Sequence, residues 1–214
     1  MLSGAAAVAA LDSSASELGQ VLAIHRASGV EAPEQLTVAV GDRRLLALHR
    51  AVTGRDVEVV AACPECASVS MAELSCESLP AATPRSARLE GGGGLRQPTY
   101  GDLVGLPEGA DGEDELVRRC VVGRPARAPG PEDLEQIDDS LAGPLVMTCP
   151  DCGAGIEVAA DAERLALEGL DRHVAEIDRE IHLLARAYGW PLPAIEALPD
   201  RRRHRFARLV EDGR

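Results

Sequence analysis

The sequence predicts an α+β chain: two β-hairpins far apart in sequence carry matching cysteine turns, short helices are inserted between them, and a helical hairpin follows at the C-terminus. Three observations support this. Cys63-Pro64-Glu65-Cys66 and Cys149-Pro150-Asp151-Cys152 repeat one Cys-Pro-x-Cys pattern, each after a β-rich run, Val57 to Val60 and Leu145 to Val146. The stretch between them is broken by Gly and Pro into short helical patterns. From Asp161 to Tyr188, the residues Leu170, Val174, Ile177, Ile181, Leu184 and Tyr188 recur at steps of four and three, the spacing of a packing seam on one helix.

Residues 1–30 read as a weakly ordered N-terminal arm, within which Ser16 to Arg26 offers a short helix with Leu18, Val21, Leu22 and His25 on one side. Residues 31–79 hold a strand, a helix and the first cysteine hairpin. Leu36, Val38 and Val40 alternate like a strand, and Gly41-Asp42 breaks that run. Asp42 is then placed to cap a helix from Arg43 to Val52, with Leu45, Leu46, Leu48 and Val52 as its apolar side and Gly54 as its end. Val57 to Ala61, the first Cys turn and Val69 to Leu74 make the hairpin.

Residues 80–143 read as a helical insertion with Gly/Pro-rich linkers, Gly91 to Gly94 and Gly123 to Pro131. Its helices are expected at Thr99 to Leu106, capped by Thr99, at Gly112 to Val122, and at Pro131 to Leu141. Residues 144–160 form the second cysteine hairpin, and 161–214 the C-terminal helices. Gly189 stops the long helix, Pro191 and Pro193 prevent its return, and Pro199-Asp200 opens a last helix running to about Glu211.

A tetrahedral zinc ion takes four thiolate or imidazole ligands, and each C-x2-C turn presents two sulfurs from one tight loop. Cys63, Cys66, Cys149 and Cys152 are therefore the expected ligands of one structural Zn2+, and the fold class becomes a split zinc ribbon. The second turn carries the glycine such a loop favours, Gly153, whereas the first has Ala67. A disulfide framework would need an oxidising compartment, and a redox pair would need one motif in a βαβ setting. Four cysteines leave no open coordination position, which argues against a catalytic metal. Cys76 and Cys120 are expected as buried small hydrophobes, and His173 and His182 as surface or packing residues rather than ligands.

The chain has 214 residues, no lysine, one Trp, one Phe, two Tyr and a net charge of −13. Its acidity argues against a free nucleic-acid binder, since phosphate neutralisation supplies most of such affinity. No apolar run is long enough to span a bilayer, and residues 1–11 lack the basic start of a secretory signal, so a cytoplasmic protein is expected. Within this acidic chain Arg201, Arg202, Arg203, His204, Arg205 and Arg208 make the last helix basic, suited either to a solvated face or to docking on an acidic surface. Arg201, Arg202, Arg203 and Arg205, with Trp190, are the candidate partner-binding residues. No catalytic residues are indicated, since His25, His49 and His204 have no acidic or nucleophilic partner at recognisable spacing; Gly91 to Gly94 is not a phosphate-binding loop, because no lysine exists to complete a Walker motif, and no small-molecule substrate is expected.

The run Glu180-Ile181-His182-Leu183-Leu184-Ala185-x-x-Tyr188-Gly189-Trp190, followed by Ile195-x-x-Leu198-Pro199-x-Arg201-Arg202-Arg203, resembles the C-terminal signature of the T-even-type phage baseplate protein family. Leu36-Thr37-Val38-x-x-Gly41-Asp42-Arg43 and both Cys pairs extend the resemblance to its injection-system branch, over about Leu36 to Val210. The resemblance implies a structural or assembly component of the baseplate of a contractile phage-tail-like particle, with other baseplate, spike or tube proteins as partners and no enzymatic activity. The alternative is a zinc-ribbon regulator that binds nucleic acid through the Arg201 to Arg208 helix.

Overall fold

The computed structural model describes residues 4–75 and 77–213 and is a mixed α+β chain. Two compact units divide it, residues 1–169 and residues 170–214. Among the described residues no helix is long and apolar enough to cross a membrane.

The N-terminal residues are more regular than expected. Helix α1 (Gly4–Asp12) is followed by α2 (Glu17–Ala27), whose N-cap Ser16 accepts the Gly19 N–H at 3.2 Å. Val21, Leu22, Ile24 and His25 of α2 are buried, so it is a core helix rather than a loose arm. Helix α3 runs Val38–Thr53, which corrects the expected strand at Leu36 to Val40 and the expected cap at Asp42. Thr37 is the cap, and Val38 and Val40 ride in the first turn. Gly41 lies inside the helix because the Tyr100 ring rests on it: a Cβ there would stand 2.1 Å from the Tyr100 hydroxyl. Gly54 ends α3 in the left-handed conformation, as expected.

Strands β1 (Val57–Ala62) and β2 (Val69–Leu74) form the first antiparallel hairpin, with Val57 opposite Leu74 and Ala62 opposite Val69. The expected helical insertion also contains a sheet: β3 (Ser86–Leu89), β4 (Gly93–Arg96) and β5 (Val121–Gly123) pair antiparallel in the order β3-β4-β5. Gly91 and Gly92 are the turn, but Gly93 and Gly94 are strand residues rather than linker. Neighbouring backbone explains them, since Cβ atoms there would meet Pro125 N and Ala87 O at 2.6 Å.

Between these strands lie α4 (Tyr100–Leu103), opened by the Thr99 N–H donating to Asp102 at 2.8 Å, and α5 (Ala110–Cys120), acidic in its first turn; α6 (Pro131–Glu135) follows β5. Leu95, Val117, Cys120, Leu134 and Ile137 form one buried cluster, so Cys120 is the small core hydrophobe expected of it. Cys76 lies outside the described residues. Strands β6 (Ala142–Thr148) and β7 (Gly155–Asp161) make the second hairpin. Asp161 then accepts the Glu163 and Arg164 N–H groups at 3.0 and 3.1 Å and opens α7 (Ala162–Tyr188).

In residues 170–214 most of the predicted stripe lines the seam: Leu170, Ile177 and Leu184 of α7 are buried and Val174 and Ile181 half-buried, whereas Tyr188 is exposed. Gly189 turns left-handed and its N–H bonds the Ala185 carbonyl at 2.9 Å. Helices α8 (Leu192–Glu196) and α9 (Asp200–Asp212) follow, with Ile195 and Ala207 buried.

Candidate metal centre

Each cysteine pair sits in a six-residue connection between paired strands, Cys63 to Ser68 and Cys149 to Ala154. The two turns share one backbone pattern. The first-cysteine N–H donates to the last residue of the turn, Cys63 to Ser68 and Cys149 to Ala154, each at 2.8 Å. The fifth residue donates back, Ala67 to Cys63 at 2.9 Å and Gly153 to Cys149 at 3.0 Å. That fifth position needs positive φ, which Gly153 adopts at 77° without cost and Ala67 adopts at 59° against its Cβ.

The four sulfurs converge. Cys63 Sγ lies 3.6 Å from Cys152 Sγ, and Cys66 Sγ lies 3.6 Å from Cys149 Sγ. All four lie within 4.8 Å of one another. Cys63 and Cys149 are buried while Cys66 and Cys152 are exposed, so each inner sulfur faces the outer sulfur of the other turn. A tetrahedron with metal–sulfur bonds of about 2.3 Å has sulfurs ~3.8 Å apart, so the spacing fits four-thiolate coordination and all four are free thiols. Ile156 is buried with Cys63 and Cys149, and Ala61, Met147, Ala154 and Val158 pack around them. Among the described residues this is the only group of three or more His, Cys, Asp or Glu side chains arranged to hold a metal.

Ser68 is a neighbour that the sequence reading missed. Its hydroxyl lies 3.4 Å from both Cys66 and Cys149 sulfurs, whereas the matching position of the second turn is Ala154. Hydrogen bonding to Ser68 pulls the Cys149 thiol down to about 6 and lowers Cys66 as well. At Cys152 the Ala154 N–H favours the thiolate, but the Cys66 and Cys63 sulfurs outweigh it and push the thiol up to about 12. Four crowded sulfurs cannot all ionise without a cation among them.

A second titratable group lies in residues 1–169. Asp42, 1 % exposed, accepts the Leu141 N–H at 2.6 Å and so ties α3 to the start of the second hairpin. Glu163 is close by, and both line a cavity of about 260 Å³ with Asp138 and Asp161. Burial and then the charge of Asp42 push Glu163 up to about 8, while burial pushes Asp42 up to about 6, so one proton stays on the pair at neutral pH. His25, buried beside the Tyr100 ring at 5.5 Å, is held down to about 4 by burial and by Arg44.

In residues 170–214 the candidate partner-binding residues separate. Arg203 departs from expectation: it is buried and bonds Glu180 at 2.8 Å and Asp200 at 2.9 Å. Arg201, Arg202 and Arg205 are exposed, with Arg202 stacked 5.5 Å over the Phe206 ring. Trp190 stacks on Tyr188 at 4.9 Å and meets the edge of Phe206 at 5.5 Å, so three of the four aromatic residues form one cluster there. Compared with known proteins, the chain matches no family model, no curated protein and no solved structure.

Proposed function

We propose that this chain is a structural or assembly component of the baseplate of a contractile phage-tail-like particle, its two cysteine hairpins closed into a split zinc ribbon by one structural zinc ion. The convergence of Cys63, Cys66, Cys149 and Cys152 across more than 80 residues of intervening sequence supports the zinc reading. When bound, zinc would supply a cross-link and charge compensation for thiolates, with no vacant position for chemistry. The hairpins need such a link: two-stranded ribbons are marginal alone, and these leave Val60, Val69, Met71 and Val146 exposed instead of burying them.

The baseplate reading rests on the C-terminal signature, whose residues are also the ones holding residues 170–214 together. Leu184 and Ile195 are fully buried, Gly189 is the left-handed stop, and Glu180 pairs with Arg203. A role without catalysis, exercised in the cytoplasm while the particle assembles, follows from that reading. Deletion of the gene should block joining of sheath and tube, as seen by electron microscopy of purified particles; normal particles from the deletion strain would refute it. A nucleic-acid-binding regulator has the exposed arginines of α9 in its favour and the charge of −13 against it. Salt-dependent DNA retention lost on reversing Arg201 and Arg202 would favour that second reading.

A further inference from the structure

We infer that the exposed face of α9 is a docking surface for the acidic N-terminal unit of a second copy of this chain. This goes beyond the metal centre and does not depend on the baseplate reading. The charges of the sequence are segregated: residues 170–214 hold 9 arginines against 8 carboxylates, and residues 1–169 hold 13 arginines against 27. On α9, Arg201, Arg205 and Arg208 follow one another at steps of four and three on one exposed face. None of the three makes an ion pair among the described residues, and with Arg202, Leu209 and Pro199 they line a groove of about 770 Å³. Arg202 joins this row to the Phe206, Trp190 and Tyr188 cluster, and Tyr188 is itself 43 % exposed. Guanidinium groups beside partly exposed aromatics have the composition of interface anchors.

The complementary charge is densest where α5 begins. Glu108, Asp111, Glu113 and Asp114 are all exposed and make no ion pair among the described residues, and Val104 nearby is 49 % exposed. Arg118, further along α5, is engaged by Glu115 at 2.9 Å and leaves those carboxylates uncompensated. Bidentate guanidinium–carboxylate pairing would align the α9 row of one copy with this segment of the next, the aromatic cluster covering apolar surface beside it. Because the two surfaces differ, the contact is head-to-tail, and repetition gives a ring or an open chain rather than a closed two-fold dimer.

Sedimentation velocity of the full chain tests this. Association should rise with concentration at about 50 mM salt and vanish near 0.5 M, where screening is short-ranged. Arg201→Glu with Arg205→Glu and Arg208→Glu should weaken it more than about tenfold, as should Asp111→Arg with Asp114→Arg. An equimolar mixture of these two variants should associate again, since each then presents what the other lost. If the triple reversal lost its fold, the corresponding Gln variants would test the same surface without introducing repulsion. A wild-type chain that stays monomeric at low salt, or a mixture that fails to associate, would overturn the inference.

Discussion

The first 169 residues and the last 45 of this chain solve the problem of scarce aromatic residues in opposite ways. The C-terminal residues gather Tyr188, Trp190 and Phe206 into one cluster, bury a leucine and isoleucine seam, and pair Arg203 with Glu180 beneath the surface. The N-terminal residues have Tyr100 alone, divide their strands among three small sheets, and bring four thiols together at the tips of two of them. Where aromatic side-chain volume is short, four thiols placed to hold a metal supplement a small aliphatic core. Trp190, the single tryptophan, belongs to the C-terminal unit, so its fluorescence reports that unit and separates the two experimentally.

The largest effect is expected from breaking the thiol quartet. Cys63→Ser with Cys149→Ser should remove most of the binding free energy of a structural zinc, on the order of 10 kcal/mol, and unfold the hairpins. Far-ultraviolet circular dichroism should then show early loss of part of the structure while the Trp190 transition stays in place. A strong metal chelator should reproduce that pattern in the unaltered chain. The mirror experiment is Arg203→Ala, which removes the buried guanidinium from half-buried Glu180, leaves the carboxylate with His204 alone at 2.7 Å, and should cost about 2 kcal/mol. Here the Trp190 transition should move and metal content should not.

A smaller effect distinguishes the units by pH. Glu163 is held at about 8 when folded, above its ordinary carboxylate value, so its stabilising protonation is present at low pH and lost as pH rises toward 8. His25, held at about 4, acts in the opposite sense: it favours folding above its unfolded value and that advantage is lost as pH falls from about 6.5 to 4. Between about pH 6.5 and 8 Cys149, held at about 6, works against Glu163, so the Glu163 part, on the order of 1–2 kcal/mol, is read as the difference between the unaltered chain and Glu163→Gln, which should lose less stability as pH rises. Urea titrations followed across that range provide the check, with Trp190 as the unaffected internal reference.

The smallest change sharpens the comparison within the candidate metal site. Ala67 sits in the left-handed region where its counterpart is Gly153, so Ala67→Gly should stabilise by about 0.5–1 kcal/mol, relief of strain exceeding added chain entropy. Gly153→Ala should cost a similar amount, measured by thermal unfolding of the metal-loaded protein.

What the sequence reveals is what lies close along the chain. The Cys-Pro-x-Cys turns, the stop at Gly189, the cap at Thr99, and the stripe of α7 are encoded within a few residues of where they act. The misreadings have distant causes. Val38 and Val40 alternate like a strand, yet Thr37 starts a helix there and Tyr100, some sixty residues on, fits against Gly41. Gly93 and Gly94 resemble a linker until Pro125 and Ala87 are placed beside them. Arg203 is one of a basic run, and only its pairing with Glu180 on α7 separates it from its exposed neighbours. Ser68 follows its cysteine turn in sequence, but its contact with Cys149 exists only once the second turn has arrived.

Metal content with X-ray absorption of the purified, natively folded protein tests the central claim most directly. One zinc per chain with four sulfur neighbours at about 2.3 Å is the expected result. A folded protein without a bound divalent cation, or a bound metal surrounded by oxygen or nitrogen, would contradict it.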